Sequence, residues 1–440
     1  MKGPSQASAV ALEELGEGIR VKVRSDSIRF LIHDLIEVDV DTREFESMLS
    51  SVLSKAVRRH VDVSVEGTRV LAPVPRDLLL EVTSSVVSRL AGERGRNIHT
   101  GRRMIYISEP LGIPLVGHTA FGLIDRGTNV IQVRPISGCN INCIYCSVDE
   151  GRFSRTRWRD FVVDPEYLLK VFDEVAGFKG GGLEAHIDGQ GEPALYPFLV
   201  DLVQGLSEHP NVKVVSMQTN ALSLDERTVE ELAEAGLDRL NVSVNSLDER
   251  KARAMAGSRD YDLEHVKGIV EYAAGSTEAD VLVAPLWLPG FNDEDIVELI
   301  DWAVRVGCGQ RWPALGIQNF LEYKFGRRPK FLRKVVDMKE FYAWLRKLER
   351  ETGVEPLVLR PEHFGTEPRR PLPKPFRKGD VVEVDIVCEG RLRGEMIGVA
   401  SGRAVAVADS ANVLKPGDRA EVRVVRDKHN VFVAVPSGRG

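Results

Sequence analysis

Between Asn129 and Asn319 the chain switches repeatedly from short runs of β-branched and aliphatic residues to stretches with helical spacing. Val130-Ile131-Gln132-Val133-Arg134 reads as a strand, and Asp164-Pro165 opens a helix with Leu168, Leu169, Phe172 and Val175 on one face. Further strands are expected over 185–188, 212–217, 240–245, 281–286 and 314–319. Helices over 197–206, 225–235, 263–274 and 293–306 separate them. Such β–α alternation implies a parallel sheet with helices outside. Here it predicts an α/β fold, a partial (β/α)6 TIM-like barrel with its chemistry at the strand C-termini.

The loop after the first of these strands carries Cys139, Cys143 and Cys146, spaced CxxxCxxC. Three soft thiolates on one loop suit an iron–sulfur cube, which takes four cysteines when the protein caps every iron. With three, one iron stays open to a cofactor that brings its own nitrogen and oxygen ligands. Structural zinc needs four ligands, usually from paired CxxC spacing, which is absent. Five cysteines in 440 residues make a disulfide framework improbable. Cys308 and Cys388 read as buried, inert thiols.

The flanks differ in texture. Residues 1–125 read as an α+β accessory domain, with strands at 21–23, 28–32 and 61–65 and helices over 42–59 and 75–91. Residues 126–367 form the expected core. Residues 368–375, with four prolines, read as a stiff linker, and 376–440 as a small β-barrel of short strands and glycine turns. The composition, 43% hydrophobic and 28% charged with net charge -6, is that of an ordinary globular protein without a global footprint for nucleic acid. Glu13, Glu14 and Glu17 interrupt any apolar leader, and no run is long enough to span a bilayer. Reduced thiols point to the cytoplasm.

The CxxxCxxC loop, with Tyr145 before its last cysteine, resembles that of the radical S-adenosylmethionine superfamily, archaeal-type Fe–S oxidoreductases among them. The resemblance covers roughly Asn129 to Asn319. It implies a [4Fe-4S] cluster held by Cys139, Cys143 and Cys146, and S-adenosyl-L-methionine cleaved to a 5′-deoxyadenosyl radical. Gly189-Gln190-Gly191-Glu192-Pro193 follows the second strand where that family has Gly-Gly-Glu-Pro, with Gln190 intervening. It implies cofactor contacts at Gly189, Gly191 and Glu192. Gln218, Thr219 and Asn220 resemble the family's Thr-Asn-Gly, with Ala221 in place of glycine. Gln218, Asn220, Ser243 and Asn245, at the ends of the third and fourth strands, are the remaining cofactor candidates. Arg250 and Arg253 either reach the cofactor carboxylate or form a solvated helix face, and 286–290 could line an adenine pocket.

Two basic runs flank this region. Arg152, Arg155, Arg157 and Arg159 interleave with Phe153 and Trp158; Lys324, Arg327, Arg328, Lys330, Arg333 and Lys334 follow the sixth strand. Cations among aromatics suit phosphate contact and base stacking, although charge runs are usually solvated faces. The C-terminal barrel resembles a TRAM domain at 378–382, Gly394-Glu395 and 415–418, with nearly balanced charge. A radical core followed by TRAM is the layout of the methylthiotransferases. Those carry three further cysteines in their N-terminal domain, and residues 1–138 here contain none. The expected activity is therefore C–H functionalisation of a tRNA or rRNA base, supplied with electrons by a donor such as ferredoxin or flavodoxin. The alternatives are modification of a protein side chain and a non-catalytic RNA-binding Fe–S protein.

Overall fold

The computed structural model describes residues 7–16 and 18–438. Residues 1–6, Glu17 of the interrupted leader, and residues 439–440 at the end of the expected barrel lie outside them. The chain divides into two compact units, Met1–Ile105 and Tyr106–Gly440.

In the first unit, Ile19–Val23, Ser27–Ile32 and Ile36–Asp41 form an antiparallel meander, with Phe30 opposite Val38 and Ile28 opposite Val40. These side chains alternate onto one face and pack with Phe45, Leu49 and Leu53 of Thr42–Val57 and with Leu79, Val86 and Leu90 of Arg76–Arg94. Asp41 ends the meander and caps the helix by accepting from Glu44 N at 3.0 Å. The strand expected over 61–65 is Ser64–Glu66, with Val61 buried ahead of it.

The second unit is built on a six-stranded sheet. Its order is Asp280–Val283, Arg239–Val242, Val212–Thr219, Leu183–Ile187, Val130–Arg134 and Gly122–Asp125. The first five are parallel and the last is an antiparallel edge, which the alternation of strands and helices does not signal. The expected sixth parallel strand is reduced to a bridge between Val283 and Leu315 and to Gln318–Asn319 paired with Leu286–Trp287. Aspartates open the helices between the strands: Asp164, Asp225 and Asp262 each accept from the backbone three residues on.

The two faces of the sheet have different chemistry. Val133, Ile187, Met217, Leu240 and Val281 lie side by side in register and are almost fully buried. One residue earlier in each strand the neighbouring row is Gln132, His186, Ser216, Arg239 and Asp280. That row is hydrogen-bonded rather than apolar. Ser216 Oγ donates to Glu184 at 2.6 Å, His186 Nδ1 lies 2.8 Å from Ser216 Oγ, and Arg239 pairs with Glu184 at 2.5 Å. The guanidinium of Arg239 sits over the rings of Trp312 and Phe364.

Val381–Glu389, Met396–Ala400, Arg403–Val407, Arg419–Arg426 and Val433–Pro436 close into a barrel around Phe376, Val384, Ile386, Val405, Val422 and Phe432. Alternation alone reads strands near 380–387, 404–408, 420–425 and 431–435, and Met396–Ala400 is additional to these. Residues 368–375 run along the antiparallel edge of the six-stranded sheet. Arg369 N donates to Gly127 O at 2.9 Å and Leu372 N to Asp125 Oδ2 at 2.7 Å, with the Leu372 side chain buried. No helix among the described residues is long and apolar enough to cross a membrane.

Lys179 Nζ donates to Asp125 Oδ1 at 2.7 Å, and the two side chains are 0% and 1% exposed. Removing the cation leaves a buried carboxylate uncompensated where the proline-rich strap meets the sheet. Lys179→Met should therefore lower stability by about 3–5 kcal/mol, read as a shift of the urea midpoint.

Candidate active site

The cysteine loop begins at Ser137–Gly138, which pairs in parallel with Gln190–Gly191. A Cβ on Gly191 would overlap the backbone of Gly138, so glycine is required there by the approach of the two segments themselves. Below, Asn142 N and Ile144 N donate to Ala256 O and Met255 O at 2.9 and 3.0 Å, and Cys146 N donates to Cys143 O at 3.1 Å. These bonds hold the loop open toward a cavity of about 550 Å³. Cys139, Cys143 and Cys146 line it together with Gly189, Gly191, Glu192, Gln218, Asn220, Ser243 and Asn245. These ten candidates from the sequence meet in one place.

Their mutual bonds are specific. Glu192 Oε1 accepts from Ala194 N at 2.9 Å and Thr219 Oγ1 at 2.5 Å, while Oε2 accepts from Asn220 N at 2.8 Å. The carboxylate thus builds the 219–220 turn and keeps lone-pair capacity on Oε2 for a further donor. Burial pushes its pKa up against those three hydrogen bonds. Asn220 Nδ2 donates to Asn140 Oδ1 at 2.8 Å, Gln218 Nε2 to Ser243 Oγ at 3.0 Å, and Asn245 Nδ2 to the Tyr145 hydroxyl at 2.7 Å. Ala221 is left-handed, with φ 58°, a conformation glycine adopts without steric cost. The departure from Thr-Asn-Gly therefore leaves the turn intact.

Desolvation raises the Cys139 and Cys143 thiols, the latter to about 12, and neighbouring negative groups raise them further: Glu192 and Cys143 for Cys139, Cys146 for Cys143. Thiolates crowded this way are stabilised by an incoming cation, since they must be deprotonated to ligate. Among the described residues, no three His, Cys, Asp or Glu side chains form a nest for a single metal ion. Three half-buried thiols spread around one cavity instead fit a cluster whose ligands bind separate irons.

Other sequence candidates fall elsewhere. Arg250 and Arg253 do not line the cavity; Arg253 pairs with Glu249 and donates to Tyr261 O. Of 286–290 only Leu286 lines it, while Trp287 stacks on Trp344 at 3.9 Å. Cys308 is buried as expected and Cys388 half-buried, and desolvation raises both thiols to about 12.

Part of the wall was not anticipated. Met338, Phe341, Tyr342 and Leu345 come from the helix Met338–Thr352, and Tyr323 from the segment before it. Asp337 N-caps this helix through Glu340 N, and Phe341, Leu345 and Leu348 are its buried stripe, a legible signal among many charges. Asp149, also left-handed, ties two loops to the cysteine loop. Its Oδ2 accepts from Arg155 N, Thr156 N, Thr156 Oγ1 and Ser154 Oγ, and its Oδ1 from Arg327 Nε at 2.7 Å. Arg327 also donates to Cys143 O and Glu150 O, so this member of the basic run is structural.

Residues 133–303 match the model of the Radical SAM superfamily. The chain belongs to that superfamily. It is 46% identical over 355 residues to "Uncharacterized protein MJ0103" of Methanocaldococcus jannaschii, covering 76% of this chain and 81% of that protein. It is 29% identical over 182 residues to GTP 3′,8-cyclase of Thermodesulfovibrio yellowstonii, covering 41% of this chain and 54% of the cyclase, about half its length. A structure of Streptococcus suis SuiB bound to precursor peptide SuiA aligns with 77% of this chain and 68% of that one, at 16% identity and a TM-score of 0.40. Radical SAM proteins use a [4Fe-4S] cluster and S-adenosylmethionine, and the donor set of this cavity fits both.

Burial raises the Asp149 carboxyl, but the Thr156 hydroxyl, the Arg155 amide and Arg327 outweigh it and hold its pKa below the ordinary carboxylate value. The stability it confers is present above the unfolded-state pKa and lost as pH falls through the lowered folded-state pKa. At neutral pH Asp149→Asn should cost about 1–3 kcal/mol in urea unfolding. The gap to wild type should close on acidification below the ordinary carboxylate range.

Proposed function

We propose that this radical SAM protein functionalises a C–H bond of an RNA base, in tRNA or rRNA. Cys139, Cys143 and Cys146 would hold the [4Fe-4S] cluster, and Gly189, Gly191, Glu192, Gln218, Asn220, Ser243 and Asn245 would hold S-adenosylmethionine. When bound and reduced by a one-electron donor such as ferredoxin or flavodoxin, these groups supply a 5′-deoxyadenosyl radical that removes hydrogen from an unactivated C–H bond. The chain's own residues position and shield. Glu192 Oε2 would accept from the cofactor ammonium, while Leu286, Ile317, Phe320, Phe341 and Leu345 would keep water from the reacting atoms.

The observation that carries the substrate reading is the contrast between the cavity lining and the exposed segments tethered to the cysteine loop. Among the described residues lining the cavity there is no Arg, Lys or His. Phosphates therefore find no cation inside, and GTP is not carried over from the cyclase relatives. Exposed cations and aromatics lie on two segments beside the cysteine loop. Arg152, Phe153 (72% exposed) and Arg155 lie on the turn fastened by Asp149; Tyr323, Lys324 and Phe325, also exposed, lie on the segment pinned by Arg327. A neutral base extruded into the cavity, with its backbone left on these segments, matches that division. The TRAM-like barrel and the TIM-like curvature of the sheet belong to the same reading.

Two measurements test it. Anaerobically reconstituted protein should form 5′-deoxyadenosine on reduction, and Cys143→Ala should lose both bound iron and that product; no product from iron-replete wild type would favour a non-catalytic protein. The triple variant Phe153→Ala, Tyr323→Ala, Phe325→Ala should weaken salt-sensitive tRNA binding by roughly tenfold or more while retaining iron. Wild type that binds no RNA would redirect the substrate to a protein side chain.

A further inference from the structure

Behind Cys146 lies a buried charge cluster that the reaction scheme leaves unused. Glu150 N donates to Cys146 Sγ at 3.3 Å, so this backbone amide points at a cluster-ligating sulfur. The Glu150 side chain is gripped from the C-terminal barrel: Arg391 Nε donates to Glu150 Oε1 at 3.0 Å and Arg391 Nη2 to the same oxygen, with both residues 3% exposed. From the core side Arg157 Nε lies 3.3 Å from Glu150 Oε1, and Arg157 is anchored on Val148 O. Arg391 Nη2 also lies 3.4 Å from Gln190 O, on the strand that pairs with the cysteine loop. Its own backbone is fixed, because Arg391 N donates to Glu395 Oε1 and Arg391 O accepts from Trp158 N at 2.7 Å.

We propose that Arg391 is a positioning residue for the cluster, and that the barrel is part of the cluster's support as well as a substrate-facing appendage. One guanidinium spans the residue whose amide bonds Cys146 Sγ and the carbonyl of the Gly-Gln-Gly-Glu segment. It thereby fixes the spacing between the cysteine side and the cofactor side of the cavity. Hydrogen bonds to cluster sulfurs stabilise the reduced state, and partners behind the ligands set metal retention. Losing Arg391 would free the Glu150 amide and leave its carboxylate less compensated; both effects disfavour adding an electron.

This inference rests on the cluster reading, and its test separates the two. Full-length wild type, Arg391→Met, Arg391→Lys and Glu389→Gln are reconstituted anaerobically. Iron loss to a chelator and the cluster midpoint potential are measured, with circular dichroism confirming the fold. Glu389 accepts from Trp158 Nε1 at 3.2 Å and pairs with Arg159 across the same interface, without touching Glu150 or Gln190. Arg391→Met should give a more negative midpoint and iron loss roughly tenfold faster or more. Arg391→Lys should fall between, and Glu389→Gln should match wild type. Wild-type behaviour of Arg391→Met, or the same change in Glu389→Gln, overturns the assignment. If the methionine variant does not fold, the lysine variant decides, and wild-type values for it overturn the proposal. A wild-type chain that binds no iron overturns the cluster reading itself.

Discussion

The active cavity exists because two stretches of backbone lie closer together than side chains permit. Ser137–Gly138 and Gln190–Gly191 pair in parallel, and any Cβ at position 191 would collide with Gly138. That contact sets the cysteine loop beside the turn carrying Glu192. Glu192 then organises Thr219 and Asn220, and Asn220 reaches back to Asn140 between the first two cysteines. The circuit closes through backbone and short polar side chains, which lose little freedom on ordering. A larger residue at 191 would therefore be felt at Cys139 and Asn220 alike.

The second constraint is electrostatic. Three thiols and two carboxylates, Glu150 and Glu192, line one small cavity with no cation among its described lining residues. Compensation comes from behind: Arg327 reaches Cys143 O and Glu150 O, and Arg157 and Arg391 close on Glu150. Burying guanidiniums is costly unless their donors are met, and here backbone carbonyls and carboxylates meet them. Burial and the neighbouring Arg391 charge together pull the Arg157 pKa down to about 9, an expense consistent with charge gathered deliberately at this loop.

This arrangement explains what the sequence could and could not reveal. The alternation of strands and helices, the aspartate caps and the CxxxCxxC loop are local signals, and local physics decides them. The three cysteines and the seven strand-end and glycine-turn candidates consequently converge on one cavity, while Arg250 and Arg253 do not. Arginines are harder, because a basic run reads the same whether its members are solvated or buried. Arg152 and Arg155 are exposed, whereas Arg157 is buried and Arg327 tethered. Partners distant in sequence decide this, such as Glu150 with Arg391 and Asp149 with Arg327. The helix Met338–Thr352 was legible from Asp337 and the spacing of Phe341, Leu345 and Leu348, but it follows an irregular segment outside the β–α rhythm.

The barrel is where local reading and tertiary outcome diverge most. Its strands follow from alternation and glycine turns, and the four prolines before it read as a stiff linker. Alternation does not reveal where that segment lies: Leu372 and Arg369 bond to the sheet edge, and Phe432 N donates to Gly117 O at 2.9 Å. Gly117 itself lies so close to the Ala404 backbone that no Cβ fits between them. A module fastened at these points cannot swing to collect a substrate and deliver it. On the proposed RNA reading, substrate contacts would fall on the exposed turns bearing Phe153 and Tyr323. Because Asp149 and Arg327 fasten those turns to the cysteine loop, a macromolecule held on them would press on the same framework that holds the candidate cluster ligands.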